Sequence, residues 1–153
     1  MITKFPTNHR HLIIFTLNIT ITVDDDLWRT EIRAASASQQ ETFMLVHLPT
    51  DNLSATMPTI TSISGTHVQG AIINDPDTTF VVMFSDVSQS TPIASAAYSV
   101  SYSGDAKHTL LGIAAGNYQV TRNNLNAIPV VVGNDNVLQF EMDGGGDFSI
   151  QPL

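Results

Sequence analysis

Five histidines are the side chains in this 153-residue chain with the widest capacity for chemistry. His9 and His11 are two residues apart, a spacing that places both on one face of a β-strand and could chelate a metal. A solvated N-terminal segment explains the same pair, and His47 lies in an apolar run that favours a core histidine. His67 and His108 are each expected to open a strand after a turn. The full His-x-His…Glu…His pattern of a metal cupin is missing, so we predict no metal site.

The acidic residues are the second possible source of chemistry. Asp24, Asp25 and Asp26 are consecutive, and Asp143 and Asp147 flank a run of glycines, so either group could bind calcium. Calcium needs about six to eight oxygen ligands, and neither group has the alternating Asp-x-Asp-x-Asp pattern that supplies them. The sequence also lacks a nucleophile elbow, a phosphate loop and a dinucleotide fingerprint. We therefore predict no catalytic residue and no bound cofactor.

Aromatic side chains offer a third possibility, the stacking of sugar rings. Trp28, Tyr98 and Tyr102 are the candidate sugar-contact residues, and packing in a β-rich core is the competing interpretation. Tyr118 follows a Gly-Asn pair, which tolerates the backbone angles of a tight turn. We predict that Tyr118 buries its ring at a corner of the fold and donates its hydroxyl to nearby backbone.

Composition and charge exclude several classes of function. The net charge is −8, and four of the six basic residues lie in the first 33 positions. From Ala34 onward only Lys107 and Arg122 are basic, so nucleic acids and polyanionic sugars find little attraction there. The chain has no cysteine, which excludes disulfides and thiolate metal sites. The longest apolar stretch, 12–23, is too short and too polar to span a membrane, and we interpret it as a strand rather than a signal peptide.

The elements that must position these side chains are β-strands. Apolar residues alternate with Thr and Asn from 15 to 23, and a second alternation runs from 27 to 33, which indicates half-buried strands. Continuous apolar runs at 43–48 and 80–84 predict strands that are buried on both faces. Turn residues separate the runs, as in 111–120, which indicates a strand end, a tight turn and a strand start. No stretch repeats its apolar residues with a helical period.

These patterns predict an all-β protein, an antiparallel β-sandwich of about 11–12 short strands, with a closed barrel as the second possibility. Crossover helices are missing, which argues against parallel βαβ units. A length of 153 residues suits one substantial core, so we predict a single domain. Within it, residues 1–26 form an N-terminal strand segment of unclear origin, and residues 27–153 form the β-sandwich.

Several motifs occur in an order that resembles a known family. Trp28-Arg-Thr-Glu-Ile32 comes first, followed by Phe-Met-Leu-Val-His-Leu-Pro-Thr-Asp at 43–51 and Val-Val-Met-Phe-Ser at 81–85. The Leu-Gly-Ile-Ala-Ala-Gly-Asn-Tyr-Gln-Val stretch at 111–120 precedes Phe140 and Phe148. In this order the motifs resemble the C-terminal β-domain of heparinase II/III-like polysaccharide lyases, across residues 27–153.

The resemblance implies a restricted role. The catalytic Tyr and His of such lyases lie in a helical toroid and the adjoining central β-domain. This sequence contains neither region, so no catalytic residue carries over. Phe43, Val46, Phe84 and Tyr118 carry over as expected core positions. The family further implies a non-catalytic accessory or structural β-sandwich domain in the periplasm or outside the cell, whose partners are other domains of a lyase or a polysaccharide.

Two other functions remain open from the residues alone. A stand-alone carbohydrate-binding module would use Trp28, Tyr98 and Tyr102 on a weakly charged surface, where stacking and neutral hydrogen bonds dominate. A small enzyme on a β-barrel would instead need at least two of the histidines at 47, 67 and 108 to meet in one pocket. Solvent exposure of the aromatic rings and the positions of these histidines distinguish the possibilities.

Overall fold

Alternating apolar and polar residues form β-strands along the chain. The computed structural model describes residues 9–13, 18–24, 27–33, 45–49, 58–75, 77–86 and 92–153, and it describes side chains in the ranges that begin at residue 58, except that of Asn126. All secondary-structure elements in these ranges are β-strands, which confirms the all-β prediction. No helix long and apolar enough to cross a membrane occurs among the described residues.

The chain divides into two units, Met1–Ser54 and Ala55–Leu153. The described residues of the first unit form two antiparallel strand pairs. Strand β1 (His9–Ile13) pairs with β4 (Leu45–Pro49), and β2 (Asn18–Asp24) pairs with β3 (Leu27–Arg33). The predicted boundary after residue 26 therefore falls between two paired strands, whereas the division in the structure follows Ser54.

Nine strands of the second unit form one mixed sheet that is nearly closed into a barrel. They are β5 (Thr59–Thr66), β6 (Val68–Asn74), β7 (Thr79–Ser85), β8 (Ala96–Val100), β9 (Asp105–Leu111), β10 (Gly116–Arg122), β11 (Leu125–Val132), β12 (Val137–Asp143) and β13 (Gly146–Pro152). Their order is β11-β10-β13-β8-β5-β6-β7-β9-β12. The predicted sandwich is not confirmed, because one continuous sheet curls around the core instead of two sheets that face each other.

The sheet is mixed because β7 and β9 run parallel. Their register pairs Thr79 with Ala106 and Phe84 with Leu111. The crossover between parallel strands is usually a helix, but here the intervening chain contains β8, which pairs with β5 and β13. The prediction of a purely antiparallel sheet is therefore wrong for this pair, since a strand in another part of the sheet makes the crossover.

Strand β5 connects the two halves of the sheet, which are β11-β10-β13-β8 on one side of it and β6-β7-β9-β12 on the other. Residues 59–64 pair with β6, whereas Gly65 and Thr66 pair with Tyr98 and Ala97 of β8. A Cβ atom on Gly65 would lie 2.2 Å from the carbonyl oxygen of Ala97, closer than van der Waals radii allow. Glycine at this position therefore permits β5 to approach β8 and to join the two halves.

A second corner lies where β8 continues into β9 and β12 continues into β13. These two segments cross the corner side by side, since β8 pairs with β13 and β9 pairs with β12. Between the strands, the Gly144 N–H donates to the Gly104 carbonyl at 2.8 Å, and the Gly145 N–H donates to the Tyr102 carbonyl at 3.0 Å. Gly104 and Gly144 have φ values of 75° and 76°, which favour glycine. The corner backbone thereby holds Tyr102 beside the core.

Inward-facing residues of the nine strands build an apolar core. Phe148 and Leu110 are among its largest fully buried side chains. In β9 burial alternates with period two, so Ala106, His108 and Leu110 are buried and the residues between them are more exposed. His108 therefore occupies a core position in the middle of a strand. The prediction that it opens a strand after a turn is wrong.

The connection between β10 and β11 has the turn type that its residues favour. Asn123 and Asn124 link β10 to β11 with φ values of 53° and 59°. Positive φ at both central residues defines a type I′ turn, which matches the twist of the flanking strands and is well served by Asn. The predicted break at this pair is thus a tight hairpin turn.

Tyr118 has the environment that its sequence context predicts. Its side chain is 2% exposed, and its hydroxyl donates to the Ala114 carbonyl at 2.9 Å. The predicted burial and backbone hydrogen bond are confirmed. The left-handed backbone angle of this connection belongs to Gly112, with a φ of 86°, whereas Gly116 already begins β10.

Candidate functional site

His108 is the centre of the main polar cluster in the described core. It is 1% exposed, and both of its ring nitrogens face tyrosine hydroxyls. The Tyr98 hydroxyl lies 2.7 Å from Nδ1, and the Tyr102 hydroxyl lies 2.7 Å from Nε2. The two tyrosines come from opposite ends of the segment that leads from β8 into the corner, and His108 lies on β9. The corner therefore brings these three side chains together.

Aromatic rings enclose this cluster. The His108 ring stacks on Phe140, with centroids 4.5 Å apart and an angle of 13° between the planes. Phe148 lies against the same imidazole at 4.6 Å and stacks on Tyr98 at 5.3 Å. These contacts restrict the rotation of the imidazole and keep bulk water from it, so the hydrogen-bond geometry of the cluster is held by packing.

The hydrogen-bond partners of His108 favour one position for the proton on its ring. The Tyr102 hydroxyl also donates to the Met142 carbonyl at 3.3 Å. Its oxygen is therefore available to accept the proton of Nε2–H, and the Tyr98 hydroxyl donates to Nδ1. We assign His108 as the neutral tautomer with its proton on Nε2.

Burial keeps all three side chains uncharged at neutral pH. Desolvation lowers the pKa of His108 to about 4. Desolvation, with a smaller contribution from Tyr102, raises the pKa of Tyr98. It also raises the pKa of Tyr102 to about 12, an effect that nearby Arg122 opposes. In this tautomer both nitrogens of the neutral imidazole are engaged in hydrogen bonds, which link β9 to β8 and to the corner.

The outer face of the sheet carries a second distinctive feature. Phe80 and Phe84 lie on the same side of β7, and each is 38% exposed. The register places Ile73 of β6 beside Phe80 and Leu111 of β9 beside Phe84, and both aliphatic side chains are half-exposed. The prediction that 80–84 is buried on both faces, with Phe84 in the core, is wrong, because only Val81 and Met83 point inward.

A shallow furrow crosses another part of the surface. A cleft of about 500 Å³ lies along β8, the corner and the start of β13, and is lined by Ser99, Tyr102 and Asp147 among others. An adjoining depression of about 380 Å³ continues over the end of β5 and again includes Ser99 and Asp147. The Ser99 hydroxyl donates to Asp147 Oδ1 at 2.5 Å where the two depressions meet.

The three predicted sugar-contact residues have different environments. Tyr98 is 4% exposed, which leaves no ring face for a sugar, and its predicted stacking role does not fit this burial. Tyr102 is half-buried and lines the cleft. Trp28 lies in β3, and its side chain is outside the described part of the structure. Tyr98 also borders the adjoining depression, so what distinguishes Tyr102 among the described candidates is its greater exposure.

The other candidate residues do not form a reactive centre in the described part. His67 lies exposed in the β5–β6 turn with a φ of 64°, whereas His108 is buried, so the two do not share a pocket. The register of β1 and β4 pairs His11 with His47 and His9 with Pro49, and the side chains of these strands lie outside the described residues. Asp24 ends β2, and Asp25 and Asp26 lie outside the described residues.

No metal-binding group of three or more His, Asp, Glu or Cys side chains occurs among the described residues. Asp147 instead accepts from Ser99, and its backbone N–H donates to Asn123 Oδ1 at 2.9 Å. Phe43 and Val46, expected in the core, belong to the part of the chain whose side chains are not described.

The comparison of this chain with protein-family models and with curated proteins finds no match.

Sequence reasoning missed the Tyr98–His108–Tyr102 cluster. A local signal for one part of it exists, since His108 follows Ala106 and precedes Leu110 in a period-two pattern that places it inward. The pairing with the two tyrosines carries no such signal, because it depends on the path of the corner between β8 and β9.

Proposed function

We propose that this chain is a non-catalytic accessory β-domain of a carbohydrate-active enzyme, similar in role to the C-terminal domain of heparinase II/III-like polysaccharide lyases. In this role it packs against another domain of such an enzyme. The observation that carries the proposal is the apolar outer face around Phe80 and Phe84, which lies on the side of β7 opposite to the core. A partner domain would cover this face.

The chemistry of the face indicates the kind of partner. Phe80 and Phe84 are flanked by the half-exposed Ile73 and Leu111, so apolar groups extend across three neighbouring strands. Lys107 of β9 is the register partner of Phe80 on this face, and its ammonium group lies 3.9 Å from the carboxylate of Glu141 on β12. Continuous apolar surface on a folded protein commonly marks an interaction site. We therefore expect the partner surface to be apolar rather than charged.

The His108 cluster supports the non-catalytic part of the proposal. Its imidazole has the ring chemistry of a general base, but Tyr98 and Tyr102 occupy both nitrogens and burial lowers its pKa to about 4. A general base works best when its pKa is near the operating pH and its nitrogen reaches the substrate. Neither condition holds for His108, which fits a role in holding the corner together.

The first test is a search for lyase activity with the full chain. The protein is incubated with heparin, alginate or chondroitin, and the ultraviolet absorbance of newly formed unsaturated sugar ends is followed. We expect no increase above a heat-denatured sample. A steady increase that scales with protein concentration would overturn the proposal.

The second test measures docking through the apolar face. The full chain is mixed with the toroid and central domains of a heparinase II/III-like lyase whose own C-terminal domain has been deleted. Sedimentation should show a complex with the wild type, and the double variant Phe80→Ser/Phe84→Ser should bind at least tenfold more weakly. Leu125→Ser is the matched control, since Leu125 is a 66% exposed leucine on β11. Equal binding by the double variant, at unchanged circular dichroism, would contradict docking through this face.

A further inference from the structure

We infer that the furrow along β8 and β13 is a binding site for an uncharged oligosaccharide, with Tyr102 as the ring that contacts a sugar and Ser99 and Asp147 as its hydrogen-bonding pair. The furrow lies on other strands than the Phe80 and Phe84 face, so the two sites are separate. The inference does not depend on the docking role.

The size and shape of the furrow suit an extended ligand. The cleft of about 500 Å³ and the depression of about 380 Å³ share Ser99 and Asp147, so they form one continuous path from the β8–β9 corner to the end of β5. Each part falls within the range of about 300–1,000 Å³ that small-ligand sites occupy. Gly65, Gly145 and Gly146 lie along the path, and a Cβ at each would meet neighbouring protein atoms, so these glycines let the segments that line the furrow approach closely.

The lining favours neutral hydroxyl groups over anions. This lining includes the hydroxyl side chains of Ser64, Thr66, Ser99 and Ser101. Asp147 is the acidic residue of the lining, and neither depression is lined by Lys or Arg. Sulfate and carboxylate groups therefore meet no cation in the lining itself, and Arg122 beside it donates to the backbone carbonyls of Asp143 and Gly144. A carboxylate surrounded by hydroxyls and backbone groups instead accepts hydrogen bonds from sugar hydroxyls.

Tyr102 is oriented before any ligand arrives. Its hydroxyl is held by His108 Nε2 at 2.7 Å and by the Met142 carbonyl at 3.3 Å, while its half-buried ring lines the cleft. A ring held in one orientation loses little conformational entropy on binding, which favours contact with a sugar face. The buried His108 thus fixes the orientation of the Tyr102 ring from its core side.

Ser99 and Asp147 are also positioned by the fold. They face each other in the β8–β13 register, and the Ser99 hydroxyl donates to Asp147 Oδ1 at 2.5 Å. This bond uses one of the about four acceptor positions of a carboxylate, so others can receive ligand hydroxyls. The pair lies where the two depressions meet, and a ligand that follows the furrow passes over it.

The test uses nuclear magnetic resonance titration of the full chain with maltohexaose, cellohexaose and mannohexaose, and with a heparin hexasaccharide as the anionic comparison. We expect at least one neutral hexasaccharide to shift the amide signals of Ser99, Tyr102 and Asp147, with little effect of the heparin fragment. Ser99→Ala/Asp147→Ala should weaken this binding at least tenfold. Tyr102→Phe keeps the ring but loses the hydroxyl bonds that orient it, so it should weaken binding less than Ser99→Ala/Asp147→Ala does, and Gln139→Ala on β12 is the control for an exposed polar residue outside the furrow.

The outcomes separate this inference from the docking proposal. Phe80→Ser/Phe84→Ser should bind the neutral sugar as the wild type does. No binding of any of the three neutral hexasaccharides at millimolar concentration would overturn the inference, and so would binding that Ser99→Ala/Asp147→Ala leaves unchanged. Tighter binding of the heparin fragment than of all three neutral sugars would equally overturn it.

Discussion

The Tyr98 hydroxyl lies 2.7 Å from Nδ1 of His108 inside a core that is otherwise apolar. The two residues belong to β8 and β9, which are not neighbours in the sheet. Their hydrogen bond therefore connects the two halves of the nearly closed barrel through its interior. Because Tyr98 donates to Nδ1, this link requires a neutral imidazole, and the stability of the barrel depends on the protonation state of His108.

Stability should consequently decrease in mild acid. Burial lowers the pKa of His108 from 6.5 to about 4, so between these values the unfolded chain binds a proton that the folded protein does not. The contribution of the neutral histidine is fully present above its unfolded pKa and is lost progressively as the pH falls toward 4. The difference corresponds to about 3 kcal/mol of unfolding free energy.

Urea unfolding at pH 7 and pH 4 measures this contribution. Carboxylates also titrate in this range, so the informative quantity is the difference between the wild type and His108→Gln. The variant should lose about 3 kcal/mol less than the wild type on acidification. If both proteins lose the same amount, the pH dependence does not come from His108.

The two tyrosine hydroxyls should contribute unequally to stability. Tyr98→Phe leaves the buried Nδ1 without its donor, and we expect a loss of about 1–3 kcal/mol. Tyr102→Phe removes a hydroxyl from a half-buried side chain beside the cleft, where water can replace it, so the loss should be about 0.5–1.5 kcal/mol. Urea midpoints at pH 7 compare the variants. A larger loss for Tyr102→Phe would contradict the assigned directions of the hydrogen bonds.

Tyr118 should contribute mainly through its buried ring. Its side chain is 2% exposed and its hydroxyl makes one hydrogen bond, to the Ala114 carbonyl. Tyr118→Ala should destabilise the protein by about 3–5 kcal/mol, the usual cost of truncating a large buried aromatic residue. Tyr118→Phe keeps the ring and should cost about 0.5–1.5 kcal/mol. A Tyr118→Ala protein that unfolds at the wild-type urea concentration would show that the ring does not support the fold.

Gly65 should tolerate no side chain. A Cβ at this position would lie 2.2 Å from the Ala97 carbonyl oxygen and 2.8 Å from Tyr98 Cβ, so β5 and β8 would have to separate. Gly65→Ala should therefore cost at least about 1–3 kcal/mol in thermal or urea unfolding. Gly133→Ala is the control, because its nearest contact is the Asp135 side-chain oxygen at 3.2 Å, which can move away. Equal stability of the two variants would mean that the β5–β8 approach does not need glycine.

Much of the secondary structure could be predicted from the sequence. Alternation at 27–33 corresponds to β3, and the Asn123-Asn124 pair closes the β10–β11 hairpin. Tyr118 was also predictable, since its burial and its bond to Ala114 depend on a connection only a few residues long. These features are local, so nearby residues contain the information that specifies them.

The apolar run at 80–84 shows that local sequence does not predict which face of a strand is buried. Strand geometry places Val81 and Met83 on one face and Phe80 and Phe84 on the other, but both faces are apolar. Alternation therefore cannot show which face is covered. The surrounding strands decide it, because the barrel interior encloses Val81 and Met83 and leaves both phenylalanines at the surface.

By itself the sequence determined that the described residues form β-strands and where most of these strands turn. Only the tertiary structure decided that β7 and β9 run parallel, that one sheet curls toward a barrel, and that His108 meets Tyr98 and Tyr102. The physical reason is the range of the interactions. Turn chemistry and period-two patterning act over a few residues, whereas strand order and the position of a buried imidazole depend on how distant strands close around a common core.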